Sequence, residues 1–426
     1  RHYLLLSAVL TGSFLAADAQ AAFVSSDTYA DAVIHSSDKD INAPKSVRQR
    51  IAANETRRNH RFSDFAKDYA DFKNRLSKEY NFDYSIDVSY MPQHGAPNGK
   101  RASQQILIYP TFSWTNFKNE YGTGTLTAAY NIARYGGAQA SKVGSNIGVA
   151  TAINDYDSPS NSFDELLYTY QLGGSWDWLT VGLGQFPMYN FDGSAYNSNQ
   201  QVNFINYALS QNASSTYSTA GVGTYVQIAP NSDWTFVLGT QDATNVDSIS
   251  VRVNNLDEEH YTTFGSISYT PTIKGLGAGQ YSILLYNMPS VKEQQGTTNG
   301  WSLNLSQDFG DKLSLFARIN GVSGNVATIN QSWVLGGVYN NPLDRNPLDQ
   351  IGLAFAYNKI DEKAVGSKLD HDAEKVIEAY WAWGISKWMT LTPDIQFYID
   401  PAENPKSDYA CLLYTSPSPR DKRQSR

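Results

Sequence analysis

Residues 375–399 alternate strictly between apolar and polar side chains, and this alternation constrains the fold more than any other feature. Trp381 and Trp383 share one face of the run, whereas Glu378 lies on the other. Successive side chains of a strand point to opposite sides of the backbone, so a period of two predicts strands. The pair 386–387 predicts a tight turn between two strands. Each strand is about ten residues long, which suits a tilted crossing of a bilayer.

The same alternation recurs along nearly the whole chain. A soluble antiparallel sheet with one wet face would explain a single hairpin, but the recurrence favours a transmembrane barrel. Segment 145–153 is assigned to a long outer loop, because counting it as a strand breaks the alternation of short and long connections. The predicted strands are 82–90, 105–117, 121–132, 165–172, 178–186, 221–229, 234–240, 261–270, 280–287, 300–309, 313–321, 332–340, 350–358, 375–385 and 388–399.

Composition supports a membrane barrel and excludes several other classes. Charged residues make up only 17% of the 426 residues, and Tyr (28) outnumbers Phe (18). No internal run reaches the roughly 18 apolar residues that a transmembrane helix needs. The formal net charge of −8, without a basic stripe, argues against a nucleic-acid partner and hints that a pore tolerates cations. The single cysteine, Cys411, excludes a disulfide framework.

These observations predict an all-β protein, a transmembrane antiparallel up-and-down β-barrel of about 16 strands with one short N-terminal helix. The chain shows fifteen readable strands, and bacterial single-chain barrels have even numbers. We therefore expect the barrel to span residues 81–410 and to lack its closing strand. Residues 411–426 lose the alternation and resemble a translated sequencing adaptor, which predicts a non-native tail. The alternative is a genuine disordered tail.

The N-terminal part divides into three segments. Residues 1–21 combine a short basic end, an apolar core and A-x-A sites, which predicts a secretory signal peptide. Residues 22–60 are polar and aperiodic, which predicts a flexible periplasmic lead-in. Residues 61–80 show helical spacing of apolar residues and predict an amphipathic helix at the periplasmic mouth of the barrel.

The longest irregular region spans residues 188–220 and is rich in Asn, Gln, Ser and Tyr. A loop of this length in a compact fold is usually functional. We expect it to fold inward and narrow the pore; the alternative is an external loop without contact to solute.

Several stretches resemble the carbohydrate-selective porin family, whose founding type is the glucose-inducible porin of pseudomonads. The most specific is a Glu-led strand, a tight turn and a TPDIQ strand leading into Asp-Pro. The matching stretches are FDELLYTYQLGGSWDWLTVGLGQF (163–186), NFINYAL (203–209), GVGTYVQIAPNSDWTFVLGTQDA (221–243), RNPLDQIGLAFAYNKI (345–360) and EKVIEAYWAWGISKWMTLTPDIQFYIDPAENP (374–405).

The resemblance implies a sixteen-stranded outer-membrane barrel of Gram-negative bacteria that lets sugars diffuse passively. It covers about half of the chain, and the N-terminal third matches only loosely. The missing closing strand and the different loops depart from the family pattern, so the preference for a particular sugar does not carry over.

Pore selectivity depends on the radius and on the polar groups of the lining. Carboxylates, amides and Arg suit polyhydroxylated solutes. For each single residue, an ordinary solvated wall position is the alternative. The channel-lining and substrate-contact candidates are Glu165, Asp192, Arg318, Glu378, Asp394, Gln396, Asp83 and Asp87.

The sequence carries no catalytic motif of the G-x-S-x-G, H-E-x-x-H or P-loop type, and its six His residues have no metal-ligand spacing. We therefore expect no enzyme activity, no cofactor and no metal. The expected partners are small sugars, outer-membrane lipid with lipopolysaccharide, and two further copies of the chain in a homotrimer. The alternative functions are a general or anion-selective porin, a barrel enzyme and a non-conducting structural barrel.

Overall fold

The computed structural model describes residues 64–419 except 98–99, 193–202, 247–249, 325, 347–348, 367–368, 386–388 and 404–406. The side chains of residues 64–70 and 414–419 are also outside the description. The predicted signal peptide (1–21) and lead-in (22–60) lie outside the described residues.

Seventeen strands dominate the described chain, and all fifteen strands predicted from the alternation are among them. Their observed bounds mostly differ from the predicted ones by a few residues, as expected for segments whose ends fray. The strands are β1 (Phe82–Ala96), β2 (Ser103–Asn119), β3 (Gly122–Gly137), β4 (Ser160–Leu172), β5 (Leu179–Phe186), β6 (Gly221–Ile228), β7 (Trp234–Asp242), β8 (Tyr261–Tyr269), β9 (Thr272–Ile273), β10 (Gly277–Met288), β11 (Thr298–Phe309), β12 (Leu313–Ser323), β13 (Ile329–Asn340), β14 (Gln350–Ile360), β15 (Ala373–Gly384), β16 (Met389–Ile399) and β17 (Tyr409–Pro419).

The strands form one closed antiparallel barrel. Each strand pairs with its sequence neighbour, except that the two-residue β9 pairs only with the start of β10, and β10 pairs with β8 directly. Leaving β9 aside, 16 strands build the wall, and β1 closes it by pairing with both β2 and β17. The predicted fold class, an antiparallel barrel of about 16 strands, is confirmed.

The closing strand corrects one expectation. Residues 409–419, most of them assigned to the non-native tail, form β17, which pairs with β16 over its full length and with β1 over Gln93–Ala96. The expectation that the closing strand is missing is therefore wrong in this structure. Unpaired strand edges are very costly in hydrocarbon, which favours pairing even for a segment with weak alternation. The foreign origin of residues 411–426 stays a prediction.

The outward face of the wall is apolar. Leu238 is 69% exposed and Leu335 is 65% exposed, although both lie in the middle of long strands. Aromatic pairs occur near the short connections, where Trp176 contacts Trp178 and Trp234 stacks on Tyr269 at 4.4 Å between ring centroids. Such aromatic girdles mark the water interface of membrane barrels. Within the described chain, no helix is both long and apolar enough to cross a membrane.

The helix placed by sequence at 61–80 spans Asp64–Tyr80 and is named α1. It leads directly into β1, and Nζ of Lys73 lies 4.6 Å from the ring centroid of Tyr84 on that strand. The helix therefore lies at the end of the barrel where the connections are short, as between β2 and β3.

Three short helices lie in the long connections: α2 (Ala140–Ile147), α3 (Tyr207–Ser210) and α4 (Glu362–Val365). The assignment of 145–153 to a loop is confirmed, because this segment contains the end of α2 and irregular backbone. Gly148 ends α2 with φ of 76°, and its N–H donates to the carbonyl of Gly144. A left-handed residue at this position is the common end of a helix, and glycine adopts it without strain.

Gly352 of β14 generates a prediction about the wall. A methyl group at this position would lie 2.1 Å from Cε1 of Tyr380 on the inward face of β15. We expect Gly352→Ala to lower the free energy of unfolding by about 1–3 kcal/mol, because overpacking forces the ring out of its site. Urea unfolding of the refolded barrel in liposomes, followed by tryptophan fluorescence, measures this change.

Gly265→Ala is the matched control on the outward face. Its new methyl group would lie 3.1 Å from the tip of Leu238, a flexible side chain that can move, and 3.7 Å from the carbonyl oxygen of Val237, which is ordinary contact. Equal unfolding free energies for both variants would contradict the close packing of Tyr380 on Gly352.

Candidate functional site: the lumen and its two inward loops

Two connections fold into the lumen and define the candidate site. We call residues 138–159, between β3 and β4, the helical loop, because they contain α2. We call residues 187–220, between β5 and β6, the long loop; it is described at 187–192 and 203–220. Both loops contact inward-facing side chains of distant strands.

The long loop packs its apolar residues against two parts of the inner wall. Phe191 contacts the rings of Tyr225 and Phe264 at 5.0 and 5.2 Å between centroids. Phe204 contacts Phe316 of β12 at 5.5 Å and Tyr380 of β15 at 4.9 Å. Burial of this much aromatic surface is a strong attachment. The predicted inward fold of 188–220 is thus confirmed for its described residues.

Glu378 lies beneath the long loop. Its side chain is 0% exposed, and its two carboxylate oxygens accept the backbone N–H groups of Ile205 at 2.6 Å and Asn206 at 2.9 Å. Asn206 adds a side-chain bond from Nδ2 to the hydroxyl of Tyr398, at 2.7 Å. A buried carboxylate needs such donors, because its desolvation is otherwise very costly. The carboxylate therefore holds loop backbone.

Glu374 does the same for the helical loop. Its carboxylate accepts the backbone N–H groups of Ala150 at 2.9 Å and Thr151 at 3.0 Å, together with the hydroxyl of Thr151. A further N–H, from Ala402 in the connection between β16 and β17, reaches it at 3.2 Å. Glu374 is also 0% exposed. Strand β15 thus supplies both loops with a buried carboxylate.

Asp192 joins the two ends of the long loop to the wall. Its carboxylate accepts Nδ2 of Asn212 at 2.8 Å and Nδ2 of Asn304 on β11 at 2.9 Å. The hydroxyl of Tyr217 donates to it at 3.4 Å. Burial, reinforced by the nearby charge of Asp192, raises the pKa of Tyr217 well above its ordinary range, so the phenol stays protonated as a donor. The loop candidate is therefore a structural junction.

Arg318 projects inward from β12 and is covered by the long loop. Its side chain is 1% exposed, and Nη2 donates to the carbonyl of Ala208 at 2.6 Å. A carbonyl at the end of a short helix is a favourable acceptor for a cation. The predicted inward position of Arg318 is confirmed, but it supports α3 in this structure and has almost no surface left for solute.

Gln396 and Asp394 lie on β16, the strand next to β15, and Gln396 pairs in register with Glu378. Nε2 of Gln396 donates to the carbonyl of Ile153 in the helical loop at 3.2 Å, and its Oε1 accepts the hydroxyl of Tyr398 at 2.6 Å. Asp394 pairs in register with Tyr380 and is buried on the same inward face. Both face inward as predicted, and Gln396 bonds to the helical loop.

The remaining candidates lie across the closing seam, on β1 and β4. Glu165 of β4 accepts Nδ2 of Asn190 at 3.0 Å, and Asp87 is buried on the inward face of β1. Asp83 shares that face and keeps partial exposure. Register places all seven strand candidates inward. Contact of any candidate with a solute stays a prediction.

The inward face is rich in acidic residues. Among the described inward strand positions, the cationic ones are Arg318, in mid-strand, and Lys118, at the end of β2. The ion pairs Lys312–Asp344, Arg345–Asp349 and Lys375–Asp400 lie in the connections between strands or close to strand ends. Several lumenal carboxylates accept hydrogen bonds from amides and hydroxyls of the loops, in place of ion pairs. The inward strand carboxylates are Asp83, Asp87, Asp164, Glu165, Asp308, Glu374, Glu378 and Asp394.

Sequence reasoning missed Glu374 and Asn206. Glu374 lies two residues before Val376 and four before Glu378, so the period of two already predicts that it points inward. Asn206 lies in the NFINYAL stretch, but no local pattern indicates which wall residue it meets. Its partners Glu378 and Tyr398 are more than 170 residues away in the sequence.

Comparison with known proteins agrees with this architecture. Residues 260–414 match the family model described as "Carbohydrate-selective porin, OprB family". Porin AaxA of Chlamydia felis is 39% identical over 339 residues, which cover 78% of this chain and 76% of that protein. Porin AaxA of Chlamydia abortus is 37% identical over 341 residues, covering 78% and 75%.

Solved structures share the fold at low identity. The high-pH structure of Pseudomonas putida OprB covers 83% of this chain and 97% of its own, with a TM-score of 0.66 and 15% identity. Salmonella typhi OmpF, in a complex with daunomycin, gives a TM-score of 0.56 at 12% identity and covers 80% and 97%. These two likenesses bear on the fold alone. With its closed barrel, its inward loops and its extensive identity to curated porins, the chain belongs to the carbohydrate-selective porin, OprB family, of outer-membrane proteins.

Proposed function

We propose that the barrel is a passive channel for small sugars across the outer membrane and has no enzyme activity. The observation that carries the proposal is a closed barrel of 16 strands with a polar inner face, into which two loops fold. A neutral sugar crosses such a pore down its gradient if hydrogen-bonding groups replace its water. The family description and the porin relatives favour the same solute class.

The inner face of β1–β4 supports the passage of polar solutes. Its positions are largely hydroxyls, amides and carboxylates, and those that keep partial exposure include Thr111, Thr127 and Thr169. Partly exposed tyrosines of the inward loops, Tyr156 and Tyr207, add rings with hydroxyl groups. Flat apolar sugar faces pack on aromatic rings while the hydroxyls hydrogen-bond. This combination suits carbohydrates better than apolar compounds.

An anion-selective porin is the rival function that the inner face disfavours. A ring of Arg or Lys at the constriction would be needed for it. The described inward strand positions hold eight carboxylates. The cationic side chains at these positions are Arg318 and Lys118. Arg318 is also buried against α3. A lumen of this composition repels anions and attracts cations.

The remaining partner proposals concern the outward face. We propose that exposed leucines in mid-strand, such as Leu183 at 63%, contact outer-membrane lipid, with lipopolysaccharide at the outer rim. A homotrimer remains part of the proposal as the expected assembly of the channel. Chemical crosslinking of the barrel in outer-membrane vesicles tests it, and a single uncrosslinked band would contradict it.

Sugar passage generates the first prediction about function. We expect single-channel current in a planar bilayer to fall reversibly on addition of glucose, because a bound sugar displaces ions from the lumen. Phosphate at the same concentration serves as the control and should act only as an ordinary ion. Current indifferent to sugar would favour a general porin, and a folded barrel without conductance would contradict the channel.

Cation preference is the second prediction. We expect the reversal potential in a KCl gradient to indicate a preference for K⁺ over Cl⁻. Asp83→Asn removes a partly exposed carboxylate from the wall and should reduce this preference. Asp257→Asn is the matched control, because Asp257 lies on an exposed external connection. Beyond a Debye length of about 10 Å at 0.1 M salt, its charge is screened. An equal effect of both variants would contradict the role of the wall charge.

A further inference from the structure

We propose that Glu374 and Glu378 are positioning residues that fix the aperture of the pore by clamping the helical loop and the long loop to β15. By holding the loops in place, they would determine the size of the largest solute that passes. Neither carboxyl group needs to contact the solute. The inference rests on the proposed channel function and names the residues that set its size limit.

We call Glu374 with the N–H groups it accepts one clamp, and Glu378 with its N–H groups the other. The two clamps lie at different heights in the lumen. Glu374 and Glu378 share the inward face of β15 and pair in register with Asn358 and Ala354 of β14. Four residues of strand correspond to about 13 Å along the strand. The inward face of β15 therefore holds the helical loop at one height and the long loop at another. The clamps act on two different parts of the channel.

In both clamps the carboxyl group accepts backbone N–H groups. It therefore holds the main chain of a loop, which ordinary side-chain packing does not do. Glu378 accepts consecutive N–H groups of residues 205 and 206, and Glu374 accepts those of residues 150 and 151. These N–H groups precede or follow short helices and have no strand partner. Two consecutive N–H groups that donate to one carboxyl group fix both the position and the direction of the main chain. Each clamp thus fixes the position of a whole segment.

The two clamped segments also contact each other. The N–H of Tyr207 donates to the carbonyl of Ala152, and the hydroxyl of Ser210 donates to Asp155. Gln396 reaches the helical loop from the neighbouring strand. The loops therefore form one assembly that both carboxylates hold against the same side of the barrel. Loss of either carboxyl group should first loosen the loop segment that it holds.

The direct test replaces each carboxylate by its amide. Glu374→Gln and Glu378→Gln keep shape and size, but the amide NH₂ cannot accept and faces a backbone donor. Amide hydrogen exchange of the refolded barrel should then accelerate in the clamped segment. We expect on the order of tenfold faster exchange at residues 150–151 for Glu374→Gln and at 205–206 for Glu378→Gln.

The second measurement reports the aperture. Liposome swelling compares the entry of a trisaccharide, raffinose, with that of a monosaccharide, arabinose. In both amide variants the ratio of raffinose to arabinose entry should rise, because the loops no longer hold a fixed aperture. Current noise in single channels should rise with it. A residue that only stabilised the wall would change the amount of folded barrel but leave this ratio unchanged.

Two controls make the result specific. Glu293→Gln makes the same chemical change on an exposed external connection and should alter neither measurement. Glu378→Asp keeps a carboxyl group with two acceptor oxygens and should therefore retain part of the protection and part of the size limit that Glu378→Gln loses.

The outcomes separate this proposal from the proposed function. A conducting wild-type barrel whose amide variants exchange and sieve like the wild type would overturn the clamps and leave the channel intact. Faster exchange with an unchanged ratio of sugars would overturn the aperture role. A folded wild-type barrel that does not conduct would overturn both proposals.

Discussion

Backbone pairing in hydrocarbon is the constraint on which this structure depends. Each strand of the wall exposes N–H and C=O groups that lipid cannot satisfy, so only a closed barrel removes the free edges. The closure rests on the seam between β1 and β17, which joins four residues on each strand. Pro417 and Pro419 lack an N–H and cannot extend the hydrogen-bond ladder. The cost of an open edge outweighs the poor strand character of this segment.

The same requirement applies inside the barrel, where the two inward loops bring irregular backbone into the lumen. Their N–H groups find acceptors on the wall, and the strongest acceptors available there are carboxylates. Glu374 and Glu378 of the wall accept backbone N–H groups of the loops, and Asp192 of the long loop accepts an amide N–H of Asn304 on the wall. These donors compensate the desolvation of the buried carboxyl groups. The packing of the loops and the polarity of the lumen therefore depend on the same inward residues.

The sequence predicted the wall well because its signal is local. A period of two over ten residues identifies a strand and its inward face, so Glu165, Arg318 and Glu378 were assigned to the correct side. Long-range contacts have no such signal. The bonds of Glu378 to the long loop and of Glu374 to the helical loop depend on folding across the barrel, and no pattern within either segment indicates them. For the same reason, Arg318 and Glu378 were expected to be accessible to solute, whereas the structure covers them with the long loop.

The location of the apolar clusters indicates where the inward loops pack against the wall. One cluster joins both inward loops to the inner faces of β12–β17, and another joins the start of the long loop to β5–β10. Strands β1–β4 contribute Leu167 to the second cluster, but most of their inward positions are polar. Apolar packing excludes water from these two parts of the lumen. The helical loop also reaches β1 and β2, where Nδ2 of Asn154 donates to Gln93 and Nε2 of Gln105 donates to the carbonyl of Tyr156. The loop therefore bridges strands on both sides of the β1–β17 seam, so its release from β15 should change the width of the lumen between them.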